Sequence, residues 1–301
     1  MRMLVTGRNG QIVRSLIERS PQRFEVVALG RPQLDLAGPA DAIVAAITAA
    51  QPDVIVSSAA YTQVDKAESE PDVAFAVNEH GAGAVAKAAD SLSVPLIHIS
   101  TDYVFDGSKM SPYCEDDSTH PTGIYGASKL AGERAVLAAH ANSALLRTAW
   151  VYSPFGSNFV KTMLRLAESR DEISVVADQR GNPTSALDIA DAIITVAANL
   201  IAGDRANQRG VFHMTGSGDA SWSEFAQAVF AASAEEGGTS ARVNPITAAE
   251  YPTPARRPAN SRLDCEKLAL AHGVRLPPWQ ASMKEVVERL LQPAEAGVPK
   301  R

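Results

Sequence analysis

A chain of 301 residues, 46% hydrophobic and 21% charged, carries enough apolar side chain for one large or two medium cores. Its formal net charge of −6, with no block of Lys or Arg, argues against a nucleic-acid-binding face. No run is apolar enough to span a membrane, "MRMLVTG" does not read as a signal peptide, and Cys114 and Cys265 lie in unrelated contexts, so the expected setting is the cytoplasm.

The first half alternates short apolar runs with helix-length segments. "MLVTG", "EVVALG", "DVIVSSAA", "PLIHIS" and "SALLRTAWVY" are rich in Val and Ile and read as strands buried on both faces. Residues 11–18, 39–50, 72–89 and 125–140 carry helix patterns. This alternation predicts βαβ units and a doubly wound parallel, Rossmann-type α/β sheet. After Trp150 the rhythm changes. "ISVVAD" predicts a strand, Gly181 and Pro183 a turn, residues from about Leu187 a helix, and "GVFHMTG" another strand. Ser221 with Glu224 three residues later is a capping-box helix start. "YPTPARRPANSRLD" is too proline-rich for regular structure, and "MKEVVERLLQ" is a late amphipathic helix before a polar tail. The expected division is a dinucleotide-binding domain of residues 1–152 plus about 177–203, and a smaller mixed α/β substrate lobe of about 153–176 plus 204–301.

In "VTGRNGQIV" a strand runs into a helix with Gly7 and Gly10 at the turn, which lets backbone approach a pyrophosphate that the helix N-terminus favours. Val13 replaces the third glycine of that pattern and should widen the helix–strand packing without removing phosphate binding. After the second strand, a carboxylate would suit the ribose of NAD and an arginine the 2′-phosphate of NADP. Here Gly30 is followed by Arg31, which favours NADPH over NADH, with Asp35 and Leu36 bordering the adenine pocket.

"STDYVFDG" places Thr101 and Asp102 at the carboxyl end of the fourth strand, where open α/β sheets bind ligands. "IYGASKLAGE" sets the Tyr125 phenol one helical turn before the Lys129 ammonium, on one face. A cation at that spacing is expected to lower the phenol's pKa from about 10, making Tyr125 a proton donor or acceptor near neutral pH. Thr101, Tyr125 and Lys129 form a hydroxyl–phenol–ammonium set suited to a carbonyl oxygen.

The Gly-rich turn, Thr101 and "YGASK" resemble the extended short-chain dehydrogenase/reductase superfamily. "AAYTQVDKAESEP", "STDYVFDG", "RTAWVY", "NFVKTML", "DQRGNPT" and "YPTPARRPANSRLD" narrow the resemblance to the dTDP-4-dehydrorhamnose reductases. That resemblance implies an oxidoreductase of dTDP-rhamnose biosynthesis, in which NAD(P)H reduces a 4-keto nucleotide sugar for polysaccharide synthesis. It implies Thr101, Tyr125 and Lys129 as catalytic residues. Gly10, Gln11 and Ile12 would line the pyrophosphate turn, and Ala59, Ala60, Tyr61 and Thr62 would border the cofactor. Asp102, Tyr103 and Trp150 would meet the sugar, and Arg256 and Arg257 the diphosphate. Gly123 stands where relatives often show asparagine, a departure expected to loosen the loop before Tyr125. The resemblance also allows a homodimer and Mg²⁺, since some relatives dimerise around that ion, but no ligands for it can be placed. The six histidines are scattered, and Glu115, Asp116 and Asp117 read as a solvated loop, so no metal site is assigned.

Two rivals share the fold. A sugar-nucleotide dehydratase commonly carries Thr-Asp-Glu where this chain has Thr101-Asp102-Tyr103. An epimerase would consume no added NADPH. A non-catalytic regulatory subunit is the rival from another class, and the intact Thr101, Tyr125 and Lys129 argue against it.

Overall fold

The computed structural model describes residues 1–203 and 205–292; the polar tail after the last helix lies outside them. The Val- and Ile-rich runs form β1 (Arg2–Thr6), β2 (Glu25–Leu29), β3 (Val54–Ser57), β4 (Leu96–Thr101) and β5 (Ser143–Thr148). Met3, Leu4 and Val5 are wholly buried, each contributing about 1.5–3 kcal/mol of apolar burial. Between the strands lie α1 (Gln11–Arg19), α2 (Ala40–Ala49), α3 (Val64–Ala67), α4 (Pro71–Phe75), α5 (Ala82–Leu92) and α6 (Ile124–Ala139).

The single helix expected over residues 72–89 is interrupted by a π-helical turn, Ala76–Gly81. Two close approaches pack against it. A Cβ at Gly81 would sit 2.4 Å from the Leu36 carbonyl oxygen, and one at Gly132 of α6 only 2.0 Å from that of Asn78. Such turns mark functional sites often enough to be worth following. Here it turns Asn78 inward, where the side chain accepts from the Tyr61 amide and donates to the Tyr61 carbonyl and to Ser128.

The second half adds β6 (Val151–Tyr152), α7 (Phe159–Ala167), β7 (Glu172–Val176), β8 (Arg180–Gly181), β9 (Thr184–Ser185), α8 (Ala186–Ala202), β10 (Gly210–His213), β11 (Ala220–Ser221), α9 (Trp222–Glu235), β12 (Arg242–Ile246), α10 (Glu266–His272) and α11 (Trp279–Leu291). The capping box of Ser221 and Glu224 is formed. Helix α7 and strand β12, which the hydrophobic pattern did not reveal, complete the smaller lobe. Its core joins Tyr152, Val160, Phe225, Val229, Trp279 and Val286.

The main sheet has the order β10-β5-β4-β3-β1-β2, all parallel. Sheet membership corrects one expectation: "GVFHMTG", assigned from sequence to the smaller lobe, supplies the edge strand β10 beside β5. Leu268, Val274 and Leu276 also pack in the main core, because the chain returns to cover that edge. A second correction concerns "SALLRTAWVY". The strand stops at Thr148, Trp150 takes a positive φ of 48°, and β6 pairs instead with β9. The chain leaves β1 for β2 on one side and crosses to β3 on the other. The carboxyl ends of β1 and β3 therefore open a crevice at the switch point.

Candidate active site

The crevice at the carboxyl ends of the strands continues as one cleft from Arg31 to Trp150. Its first part is lined by Gly7, Arg31, Asp35, Leu36, Ala59, Ala60, Tyr61 and Thr62. Gly10, Gln11, Ile12, Thr101, Asp102, Tyr103, Tyr125, Lys129 and Trp150 line the second, a cavity of about 640 Å³. Of the predicted site residues, Arg256 and Arg257 are absent from the cleft wall. The Arg257 guanidinium is forked onto Asp65 of α3 at 3.2 and 2.8 Å. Arg256 is exposed.

The nucleotide end fits a dinucleotide. Gly7 has φ +103°, a conformation that favours glycine. Gly10 caps α1 without any side-chain bond to the helix amides, and the first turn holds no acid, so the N-terminal N–H groups face the cleft free for an anion. The Gln11 side chain bonds the Val151 carbonyl, Ser153 and Asn158, bracing the cleft wall. Thr6 Oγ1 accepts from the amides of Ser58 and Ala59, which fixes the loop after β3 against the Gly-rich turn. Arg8, not singled out from sequence, stands beside Gly30: a Cβ there would lie 2.9 Å from Arg8 Cγ.

At the chemical end, Thr101 Oγ1 donates to Asp102 Oδ1 at 2.9 Å and accepts from the Tyr103 amide at 3.2 Å. The Tyr125 phenol lines the same cavity as that hydroxyl, edge-on to the Tyr103 ring with centroids 5.6 Å apart. Burial pushes Asp102 up to about 6, and its Oδ2 has no partner. Burial also pushes Tyr125 up to about 12, with the Thr101 hydroxyl pulling the other way. This overturns the expectation that Lys129 acidifies the phenol. The lysine's 3% exposed side chain turns into the protein, where its Nζ donates to the Ile99 carbonyl at 2.7 Å. Burial lowers Lys129 itself to about 8, against the opposing charge of Glu133.

Trp150 stacks on Trp222 with centroids 3.5 Å apart and planes 8° from parallel. Gly181 permits this placement, since a Cβ there would come within 2.4 Å of the Trp150 indole. Trp222 gave no sequence signal beyond following the capping Ser221. The loop before Tyr125 is not loosened at Gly123. The Ile124 amide, left open by a glycine cap, donates instead to Glu68 Oε1 at 2.8 Å. A carboxylate from across the fold thus serves as the helix cap. Glu68→Ala should lower the melting temperature by roughly 2–4 °C, the effect of about 1 kcal/mol from a lost cap, in a thermal melt. The acidic run is likewise no free loop: Glu115 accepts from the His213 amide, and Asp117 from Lys109 and the Cys114 amide. Among the described residues no helix is long and apolar enough to cross a membrane.

Residues 1–292 match the family described as the RmlD substrate binding domain. The chain is 55% identical to the dTDP-4-dehydrorhamnose reductase of Sinorhizobium fredii over 291 residues, 97% of this chain and 98% of that one. A crystal structure of a dTDP-4-dehydrorhamnose reductase from Clostridium acetobutylicum superposes with a TM-score of 0.89 at 36% identity, covering 97% of this chain and all of that one. The Bacillus anthracis reductase, crystallised in complex with NADP, gives a TM-score of 0.88 at 35% identity over 95% and 98% of the two chains.

Proposed function

The chain belongs to the RmlD substrate binding domain family, and from that premise we propose that it is an NADPH-dependent dTDP-4-dehydrorhamnose reductase, making dTDP-L-rhamnose from the 4-keto sugar nucleotide. The observation that carries the reading is that Thr101, Tyr125 and Lys129 line one cavity with the Gly7–Gly10 turn. NADPH, when bound, supplies the hydride that reduces C4. Thr101 orients the ketone oxygen, and Tyr125 donates its proton to that oxygen as negative charge develops there. A phenol near 12 is the right form for a reduction. It stays protonated through neutral pH, and an alkoxide is a stronger base than the phenolate it leaves. Lys129 holds positive charge on the same helical face, one turn beyond the phenol. Trp150, on its Trp222 platform, offers an apolar wall to the deoxy-hexose. The nucleotide tail anchors a small reactive group, and orientation follows from that anchoring.

Arg31 and Arg8 flank the adenine end where Gly30 leaves no acid, which supports NADPH as the preferred reductant. Arg31→Ala should weaken NADPH binding roughly 10- to 100-fold, the size of one charge-assisted phosphate contact of about 1.5–3 kcal/mol, and leave NADH binding nearly unchanged. Fluorescence titration of both cofactors checks this; equal losses for the two would refute the assignment.

Loss of NADPH absorbance on adding the keto-sugar nucleotide, with stoichiometric formation of the reduced sugar nucleotide, is the direct test. An epimerase consumes no added NADPH, and a regulatory subunit turns nothing over.

A further inference from the structure

Beneath the cleft lies an ion pair that no step above uses. Glu133 and Arg147 are 2% and 4% exposed. Arg147 donates from Nε to Glu133 Oε1 at 2.8 Å and from Nη2 to Oε2 at 2.7 Å, and Ser100 Oγ donates to the same Oε1 at 2.6 Å. The three side chains come from three elements. Glu133 sits on α6 one turn beyond Lys129 and two beyond Tyr125, so the three share one stripe. Ser100 of β4 and Arg147 of β5 are cross-strand partners, and the next pair in the ladder is Thr101 with Thr148. The carboxylate therefore ties the helix bearing Tyr125 and Lys129 to the strand bearing Thr101, one residue from the reacting hydroxyl. Filling this space with apolar side chains would avoid desolvating two charges, so packing alone does not call for an ion pair here.

We propose that Glu133, held by Arg147 and Ser100, is a positioning residue for the reduction, fixing the strand that bears Thr101 against the helix that bears Tyr125 and Lys129. This rests on the reductase reading above. The Lys129 ammonium donates to the Ile99 carbonyl of β4; the charge acting on it is Glu133 of its own helix, and His98 of β4 is the other buried titratable group that feels it. His98 is buried and neutral, its pKa held well below the ordinary value by burial and by Lys129, so Glu133 supplies the compensating negative charge.

Glu133→Gln keeps the shape and removes the charge. In this variant the basic limb of the kcat/KM profile should move down by about half a pH unit or more. Its kcat should fall roughly tenfold or more, with the KM for the sugar nucleotide little changed. Glu133→Asp should return the limb towards wild type. The pH dependence of NADPH binding, read by fluorescence without substrate, should shift in the same direction. If a lone unpaired Arg147 prevents folding, the double variant E133L/R147M removes both charges and takes the same measurements. A folded variant with wild-type kcat and an unmoved basic limb overturns the proposal. A wild-type protein that binds NADPH but does not reduce the keto sugar overturns the reductase reading instead, and the binding profiles then decide the role of Glu133.

Discussion

Replacing Tyr125 by phenylalanine is expected to lower kcat by roughly 10²- to 10⁴-fold, the contribution of a positioned general acid. NADPH affinity should stay nearly unchanged, because the lost hydroxyl acts on the developing alkoxide rather than on the bound nucleotide. The ring remains, with its edge-on contact to Tyr103, so the fold should be indifferent to the change. Single-turnover kinetics with NADPH separates the two effects, and a variant that keeps normal turnover would remove Tyr125 as the proton donor. The same geometry sets the pH behaviour. With the phenol near 12 it stays in the donor form across neutral pH. Of the Tyr125–Lys129 pair, Lys129, lowered to about 8, loses its proton first as pH rises. Activity should therefore decline above about pH 8 through the lysine rather than the tyrosine, and bound cofactor will move that limb only insofar as it changes the charge around Nζ.

Gly126→Ala should be nearly as damaging, by a different route. A Cβ there would sit 2.2 Å from the Tyr103 carbonyl oxygen and 3.0 Å from Pro121 Cβ, and backbone cannot yield as a flexible side chain does. The N-terminal turn of α6 must then part from the turn after Thr101 by roughly an ångström, a misplacement that can cost about 10²-fold in rate. Overpacking of this kind also costs about 1–3 kcal/mol of stability. The expected signature is a lower melting temperature together with a fall in kcat, while NADPH binding at the Gly7–Gly10 turn survives. A Gly126→Ala protein with normal kcat would mean that the distance between Thr101 and Tyr125 is not critical.

The two variants probe opposite kinds of knowledge about this chain. Tyr125 could be named from "YGASK" because a chemical group at a helical spacing is a local fact. Gly126, its neighbour in the same motif, carried no such signal: its importance lies in the Tyr103 carbonyl, which sequence distance hides. Glu68 is a sharper case, since a residue far from Gly123 supplies the cap that the glycine lacks. Asn78, Arg147 and Trp222 were likewise silent, each being an ordinary residue until the fold gives it a partner.

Periodicity, turn chemistry and the runs of Val and Ile determined by themselves the parallel α/β sheet, the Gly-rich turn after its first strand and the placing of Tyr125 and Lys129 on one helical face. Each depends on side chains within a turn or two of one another, or on one face of a single element. Only the tertiary structure decided that "GVFHMTG" closes the main sheet, that Arg257 is held by Asp65, and that Tyr125 is made less acidic rather than more. Those outcomes depend on desolvation and on contacts between distant segments. Burial acts on every charge at once, and no spacing along the chain records how much water each group loses.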